Sequence, residues 1–189
     1  MPVSNNISSW KERAKIDYIP LFISLWLAFN AWIKDRFTSG RDRNLINDCK
    51  SISNPLKARF SELMDSDDAS GNRFKANLAE LQRSLANANI PFERQEWGKH
   101  IRFENSIIEW KDGNPKFESM LKEESQRSKI QIDERLWVDS DSDKLFAAYI
   151  EIVYQVRCSL FHGNLSPNEK NERVIKQLYL TLSMIMENV

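Results

Sequence analysis

Two long segments with almost no polar face constrain the fold of this 189-residue chain most strongly. The first is IPLFISLWLAFNAWI at 19–33, and the second is KLFAAYIEIVYQVRCSLF at 144–161. Apolar residues recur at helical spacing around nearly the whole of each segment, so each predicts a helix that other elements cover on several sides. A chain of this length fits one domain, and we therefore predict an all-α bundle built around these two helices.

The first apolar segment resembles a membrane element only at first sight. It is about 15 residues long and contains Ser24 and Asn30, whereas a helix that spans a bilayer needs about 20 apolar residues. The residues before it carry mixed charge and no small-residue cleavage site follows, which argues against a signal peptide. We expect a cytoplasmic protein without a membrane contact.

Cysteine and histidine are too sparse to indicate a disulfide framework or a zinc site. The chain has two cysteines, Cys49 and Cys158, which lie far apart, and two histidines without a close Cys/His cluster. This usage is typical of a reducing compartment. We expect no cofactor and no metal site, with carboxylate ligands for magnesium left open by the sequence.

Start signals predict further helices around the two apolar segments. Asn54 and Pro55 supply an N-cap and a proline at the first position of a short helix. An apolar stripe over 74–85 predicts an amphipathic helix. Ser166 and Glu169 have the spacing of a capping box, which predicts that the last helix begins there.

The middle third of the chain differs from the rest. Residues 88–142 are richer in charge, glycine and proline, and they keep no single hydrophobic period. Weak alternation over 99–111 indicates a short hairpin, and the Asn114-Pro115 pair predicts one more helix. We therefore predict a helical core at about 8–87 and 143–187, interrupted by a mixed, partly irregular insertion.

Net charge excludes a general attraction to nucleic acid. Lys plus Arg and Asp plus Glu each number 27, so the formal charge is zero and any nucleic-acid site must be local. The strongest local cluster lies at 34–43, KDRFTSGRDR, and its cations are Lys34, Arg36, Arg41 and Arg43. A solvated face is the more common source of such a cluster, and RNA binding is the functional alternative.

An arginine and a histidine at the end of the second apolar segment form the candidate catalytic pair. Arg157 and His162 lie five positions apart in VRCSLFHGN. Five residues of helix turn through about 140°, so the two side chains converge only if the helix ends near Phe161. Gly163 and Asn164 suit that ending, because both tolerate the left-handed conformation that often follows a helix.

These two groups suffice for cleavage of RNA without a metal. Histidine titrates near neutral pH and moves protons, and arginine donates two parallel hydrogen bonds to a phosphate. RNA brings its own nucleophile, the 2′-hydroxyl. The motif alone has little weight, because Arg94 and His100 form a similar pair, six positions apart, in the polar insertion. The apolar surroundings of Arg157 are stronger evidence for a functional site, since a buried guanidinium needs a carboxylate, a subunit boundary or a ligand as its partner.

The candidates for supporting roles are Asn30, Cys158, Gly163 and Asn164. Cys158 lies in an apolar helix and is chiefly a packing residue, because thiol reactivity needs an accessible, electropositive setting. For Asn30 a structural hydrogen bond is the default, and a polar contact to the catalytic pair is the alternative. A structural alternative also exists for Arg157, namely an internal ion pair with a carboxylate such as Glu151 or Glu172.

VRCSLFHG, which follows one apolar helix and precedes a capped one, resembles the R-x4–6-H motif of HEPN domains (higher eukaryotes and prokaryotes nucleotide-binding). DYIPLFISLWLAFNAWI is similar to the first core helix of bacterial members. The resemblance covers about 8–87 and 143–187. It implies a HEPN-like helical bundle, a homodimer whose two motifs meet across a groove, and RNA cleavage that leaves a 2′,3′-cyclic phosphate. Arg157 would stabilise the phosphate and His162 would act as acid or base.

The resemblance also suggests partners and raises an alternative. Many members of the family are toxins or phage-defence effectors, some paired with a nucleotidyltransferase-like antitoxin. The residue after the arginine is commonly Asn, Asp or His in the family and is Cys158 here, and members without activity serve as binding modules. We therefore carry two hypotheses forward: a dimeric endoribonuclease controlled by an antitoxin or another regulatory protein, and a non-catalytic module that binds RNA, a nucleotide or a protein.

Overall fold

The computed structural model describes residues 7, 11, 14–38, 40–112, 114–123 and 129–187. The first positions of the predicted core, 8–10 and 12–13, lie outside the described residues. The six helices of the described part are α1 (Tyr18–Arg36), α2 (Asp42–Ser51), α3 (Pro55–Asp65), α4 (Ala69–Ala88), α5 (Ser142–Phe161) and α6 (Glu169–Met186). The predicted helix-dominated fold is therefore confirmed.

Side-chain caps explain where most of these helices begin. The caps that accept a backbone N–H of the first turn are Asp17, Asn54, Asp68, Asp141 and Asn168. Asn54 is the cap that the sequence predicts, and Pro55 follows it at the first helical position. The predicted start of α6 at Ser166 is wrong, because Asn168 accepts from the Asn171 N–H at 3.0 Å and the helix begins one residue later.

Helix α5 is the centre of the helical core. Phe60 of α3 packs its ring 5.6 Å from Phe146 and 5.7 Å from Tyr149, and 5.4 Å from Phe74 of α4. The Tyr149 hydroxyl shares a hydrogen bond of 2.9 Å with Thr181 of α6. Tilted and edge-to-face aromatic pairs of this kind add about 0.5–1.5 kcal/mol each beyond the burial of their surface. They hold α3, α4 and α6 against α5.

In the part of the chain that the structure describes, helix α1 is buried along one face, which differs from the prediction that it is covered on several sides. Its buried residues are Phe22, Trp26, Phe29 and Ile33. The opposite face is apolar or small as well, yet it is exposed, and its residues are Leu21, Ser24, Leu27, Ala28 and Ala31. Leu27 is 56% exposed. No helix in the described ranges is long and apolar enough to cross a membrane.

Two antiparallel hairpins lie between α4 and α5, so the fold is not purely α-helical. Strands β1 (Ile107–Lys111) and β2 (Asn114–Glu118) form the first hairpin, and β3 (Lys129–Asp133) and β4 (Leu136–Asp139) form the second. Short 3₁₀ turns occur at Gln95–Trp97 and Phe103–Asn105. The hairpin predicted at 99–111 is therefore misplaced, because only β1 falls within that range.

The helix predicted at Asn114-Pro115 is wrong, because these residues begin β2. Lys111 pairs with Asn114 across a tight turn in which Asp112 has a φ of +52°. The strand is held by its packing, since the Phe117 ring lies 5.5 Å from that of Trp97. Tertiary contacts thus outweigh a local helix-start signal.

The residues between α4 and α5 pack onto the same hydrophobic core as the helices. Their buried apolar side chains are Ile90, Phe92, Ile101, Phe103, Met120 and Val138. These residues belong to one continuous cluster with the side chains of the six helices. The segment between α4 and α5 therefore has a defined position against α5: Glu93 lies 3.5 Å from His162 at the end of that helix, and Glu118 of β2 lies 3.4 Å from Lys144 near its start.

Candidate active site

The end of α5 positions His162 and turns the chain. The helix ends at Phe161 and His162 is its C-cap. Gly163 follows with a φ of +72°, and the Asn164 N–H donates to the Ser159 carbonyl at 2.8 Å. This arrangement is a Schellman ending, which needs the left-handed conformation that glycine adopts without steric cost. The helix end that the sequence predicts from Gly163 and Asn164 is present.

Arg157 is largely buried, yet its guanidinium has few polar partners. The side chain is 20% exposed and lies over two rings, 4.7 Å from the centroid of Phe161 and 5.2 Å from that of Trp26. One terminal nitrogen lies 3.9 Å from Asp42 Oδ2, beyond hydrogen-bond distance, and the other 3.9 Å from Cys158 Sγ. Its Nε is buried without a hydrogen-bond partner among the described residues.

Arg157 pairs with a carboxylate of its own chain, but with neither of the suggested residues Glu151 and Glu172: the pair is formed with Asp42 and is long, with Oδ2 3.9 Å from Nη2. Glu151 is only 2% exposed and binds other cations, with Arg43 Nη1 at 2.7 Å and Lys50 Nζ at 2.8 Å. Burial raises the pKa of Glu151, but Lys50 and Arg43 outweigh that effect and hold its pKa below the usual value. Glu172 is exposed on α6 and makes no ion pair with Arg157 within the described part.

His162 is accessible and has a carboxylate neighbour. Its side chain is 54% exposed, and Nε2 lies 3.5 Å from Glu93 Oε1. No hydrogen bond joins His162 to Arg157 in the described portion of the chain. Sequence reasoning missed Glu93, because nothing distinguishes it from the many other acidic residues of the predicted insertion.

The predicted RNA-binding cations divide into two groups. Those exposed to solvent are Lys34, Arg36 and Arg41. Arg43 is instead engaged with Glu151. Asp42 connects the exposed group to Arg157, because its Oδ1 lies 3.7 Å from Lys34 Nζ and its Oδ2 lies 3.9 Å from Arg157 Nη2. The structure therefore brings part of this cluster next to Arg157.

Of the supporting candidates, Cys158 lies beside the guanidinium, and Asn30 lies on the helix that carries Trp26. Asn30 is one helical turn beyond Trp26 on α1, and its Oδ1 is buried without a hydrogen-bond partner in the described residues. Burial raises the pKa of the Cys158 thiol, more than the hydrogen bonds with Arg157 and Tyr154 lower it. The thiol is therefore protonated at neutral pH, which favours a packing role over that of a nucleophile.

A pocket of about 380 Å³ lies between α2, α5 and the segment that follows α4. We call it the Trp97–Tyr154 pocket, and its lining includes Trp97, Tyr154, Arg43, Lys50, Arg94 and Glu93. Glu93 also approaches His162, and Tyr154 precedes Arg157 by one turn of α5. The pocket therefore adjoins both members of the candidate pair.

Comparisons of this chain with protein-family models, with curated proteins and with solved structures yield no match. The HEPN resemblance therefore stays a prediction that depends on the motif and on the two apolar helices. Within the described ranges, no group of three or more His, Cys, Asp or Glu side chains is placed to hold a metal ion.

Proposed function

We propose that this chain is a metal-independent endoribonuclease of the HEPN type with Arg157 and His162 as its catalytic residues. The proposal depends on one observation about Arg157. Its guanidinium is mostly buried over two rings and has no hydrogen-bonded carboxylate in the described part. A buried cation with so weak a partner is unfavourable unless an external anion completes it. A phosphodiester fits the parallel donors of arginine.

The chemistry requires one proton transfer at each end of the reaction. The 2′-oxygen of RNA attacks the adjacent phosphorus while its proton passes to a base. The bond from phosphorus to the 5′-oxygen then breaks, and that oxygen takes a proton from an acid. The products are a 2′,3′-cyclic phosphate and a 5′-hydroxyl. His162 is exposed enough to perform either transfer, and Arg157 stabilises the charge on the phosphoryl oxygens.

We include a homodimer in this proposal, because one imidazole cannot be acid and base at the same time. The exposed apolar face of α1 supports this, since a helix with such a face is normally covered. Leu27→Glu is expected to convert a dimer into a monomer in analytical ultracentrifugation. Ile52→Glu is the matched control, because Ile52 is 50% exposed and lies at the end of α2, not on α1. Equal behaviour of both variants would move the interface elsewhere.

The central test is cleavage of total RNA in EDTA by the wild type and by His162→Ala. We expect at least a 100-fold slower cleavage for the variant, as for loss of a general acid or base. His100→Ala is the matched control, because it removes the other histidine, which is exposed and lies outside the motif. Detection of cyclic phosphate ends identifies the reaction. Wild-type rates for His162→Ala would exclude the site.

A cytoplasmic toxin or phage-defence role with an antitoxin partner is part of the same proposal. Expression of the wild type is expected to arrest growth, and expression of His162→Ala is not. Arrest by both proteins at equal abundance would separate toxicity from RNA cleavage.

The second candidate function is a non-catalytic module that binds RNA or a nucleotide. Two observations favour it: Cys158 replaces a residue that is commonly polar, and the Trp97–Tyr154 pocket carries three cations against two carboxylates. This candidate predicts no cleavage of any RNA and binding that weakens with added salt.

A further inference from the structure

The Trp97–Tyr154 pocket has no role in the cleavage step, yet it has the properties of a ligand site. Its volume of about 380 Å³ lies in the range of small-molecule sites. Helices α2 and α5 form two of its sides, and residues after α4 form the third. A rigid helical wall facing a hairpin-bearing segment is a preformed concavity, not a gap in the core.

We propose that this pocket holds the nucleobase of the nucleotide whose phosphate lies at Arg157. The inference rests on the proposed function for the position of the phosphate. It adds a base-recognition subsite, and it gives the residues between α4 and α5 a part in substrate binding.

The aromatic walls are the first reason. Nucleobases stack on aromatic side chains regardless of sequence, because every base has a π-face. The Trp97 ring is fixed by contacts at 5.4 Å with Phe92 and 5.5 Å with Phe117. The Tyr154 ring carries the Arg43 guanidinium at 4.3 Å. The Trp97 ring likewise has the Arg94 guanidinium at 5.6 Å. Both rings are therefore held in place, and a base can stack on a ring or on the guanidinium plane beside it.

Polar groups for the edge of a base are the second reason. Asn47 of α2 is exposed and lines the pocket, where its amide provides both a donor and an acceptor. The Glu151 carboxylate in the wall does not oppose an anionic ligand strongly, because Arg43, Lys50 and Gln155 all donate to it. With Arg94 the lining carries one net positive charge.

The position of the pocket is the third reason. The Trp26 ring lies 6.3 Å from that of Tyr154 and 5.2 Å from the guanidinium carbon of Arg157. Tyr154 in the wall of the pocket and Arg157, which is proposed to bind the phosphate, therefore pack on the same Trp26 ring. On the other side, Glu93 lines the pocket and lies 3.5 Å from His162. A nucleotide with its base in the pocket has its phosphate near the catalytic pair.

Calorimetry in EDTA with nucleoside 5′-monophosphates and with ribose 5-phosphate tests the subsite directly. We expect at least one nucleotide to bind about tenfold more tightly than ribose 5-phosphate, which lacks only the base. Asn47→Trp, which fills the mouth of the pocket, is expected to abolish that difference. Asn44→Trp is the matched control, because Asn44 is also exposed on α2 but does not line the pocket.

A second pair of variants guards against misfolding of the first. Trp97→Ala is expected to weaken nucleotide binding about tenfold, and Trp137→Ala, on β4 and outside the pocket, is expected to leave it unchanged. Equal binding of nucleotides and ribose 5-phosphate by the wild type would overturn the subsite. Loss of base-dependent binding in Asn44→Trp or Trp137→Ala as well would also overturn it.

Separate measurements identify where the base comes from and whether the protein cleaves RNA. A short single-stranded oligoribonucleotide, bound to His162→Ala, competes with the mononucleotide if the base comes from RNA. Absence of competition assigns the pocket to a free nucleotide. Cleavage of RNA without base-dependent binding removes the subsite and keeps the nuclease. Base-dependent binding without cleavage keeps the subsite and removes the nuclease.

Discussion

Two arginines near the C-terminal half of α5 occupy similar surroundings and have different partners. Arg43 lies 4.3 Å from the ring of Tyr154, and Arg157 lies 5.2 Å from that of Trp26. Arg43 also donates to both oxygens of the buried Glu151. The guanidinium of Arg157 has no hydrogen bond to a carboxylate in the described part, and its Nε has no partner.

The difference separates a structural cation from one available to a ligand. Burial lowers the pKa of Arg43, but the charge of Glu151 and the hydrogen bonds to it have a larger effect, so the pKa of Arg43 is raised above its usual value. Arg43, Lys50 and Glu151 thus form a closed cluster that has no need of an external group. Arg157 is held mainly by the rings of Trp26 and Phe161, with only long contacts of 3.9 Å to Asp42 and Cys158. This arrangement fixes its plane and leaves most of its donor capacity for an oxyanion. We therefore expect substitutions at the two arginines to affect different properties.

The largest expected effect is the loss of RNA cleavage in the Arg157→Ala variant. Loss of a group that stabilises the transition state typically slows a reaction about 100- to 1000-fold. The free energy of unfolding is expected to change by only about 1 kcal/mol, because the side chain loses packing and no strong hydrogen bond. Arg43→Ala is the comparison for stability, which it is expected to lower more because Glu151 loses a partner. Arg59→Ala is the matched control for activity and is expected to keep the single-turnover rate, because Arg59 is also 20% exposed but lies on α3, outside the site. Single-turnover assays and urea unfolding measure the two quantities, and a reversed pattern would contradict the distinction.

The second effect is on stability by Glu151→Ala. Breaking a buried ion pair leaves uncompensated charge and lowers stability by about 3 kcal/mol or more. We expect the lower end of that range, because Arg43 and Lys50 are partly exposed and can turn toward water. The measurement is urea unfolding at neutral pH. Glu172→Ala, at an exposed site on α6, is the control. If both variants lose the same free energy of unfolding, the cluster contributes little to stability.

The third effect is the response of the same cluster to acid. The pKa of Glu151 is held below its usual value of 4.5, so its contribution to stability is present above the pKa of the unfolded chain. It is lost as the pH falls through the folded-state pKa, with a slope of up to about 1.4 kcal/mol per pH unit. Urea midpoints between pH 7 and pH 3 are expected to fall less steeply for Glu151→Gln than for the wild type. Parallel curves would assign the acid sensitivity to other carboxylates.

Local chemistry is the part of this molecule that the sequence predicts well. The cap at Asn54 and the turn at Gly163 depend on residues within a few positions of each other, and both are found where the pattern places them. The competing signals around β2 show the limit. In the sequence, Asp112-Gly113 is a typical hairpin dipeptide. The strand that begins at Asn114 prevails over the helix-start signal of Asn114-Pro115, because it pairs with β1 and packs against Trp97.

Pairings between distant residues are the part that the sequence does not predict. A buried glutamate in an apolar helix signals a cationic partner, but nothing in one sequence selects Arg43 over Arg157 for Glu151. The sequence does not predict the exposure of one α1 face either, because an apolar helix has the same pattern whether its own chain or another covers it. Charge pairing and helix coverage are both decided by the packing of the whole chain.

The smallest expected effect is on cleavage by Glu93→Gln. Glu93 lies 3.5 Å from His162, and both side chains are about half exposed, so their interaction is screened and contributes about 0.2–1 kcal/mol. If that carboxylate orients the imidazole, the single-turnover rate at saturating protein falls by at most about fivefold. Glu96→Gln is the matched control, an exposed glutamate in the adjacent 3₁₀ turn. A decrease confined to Glu93→Gln would place the region between α4 and α5 in the active site. The same rate for both variants would mean that the helix end alone orients His162, and that the role of this region is limited to the pocket.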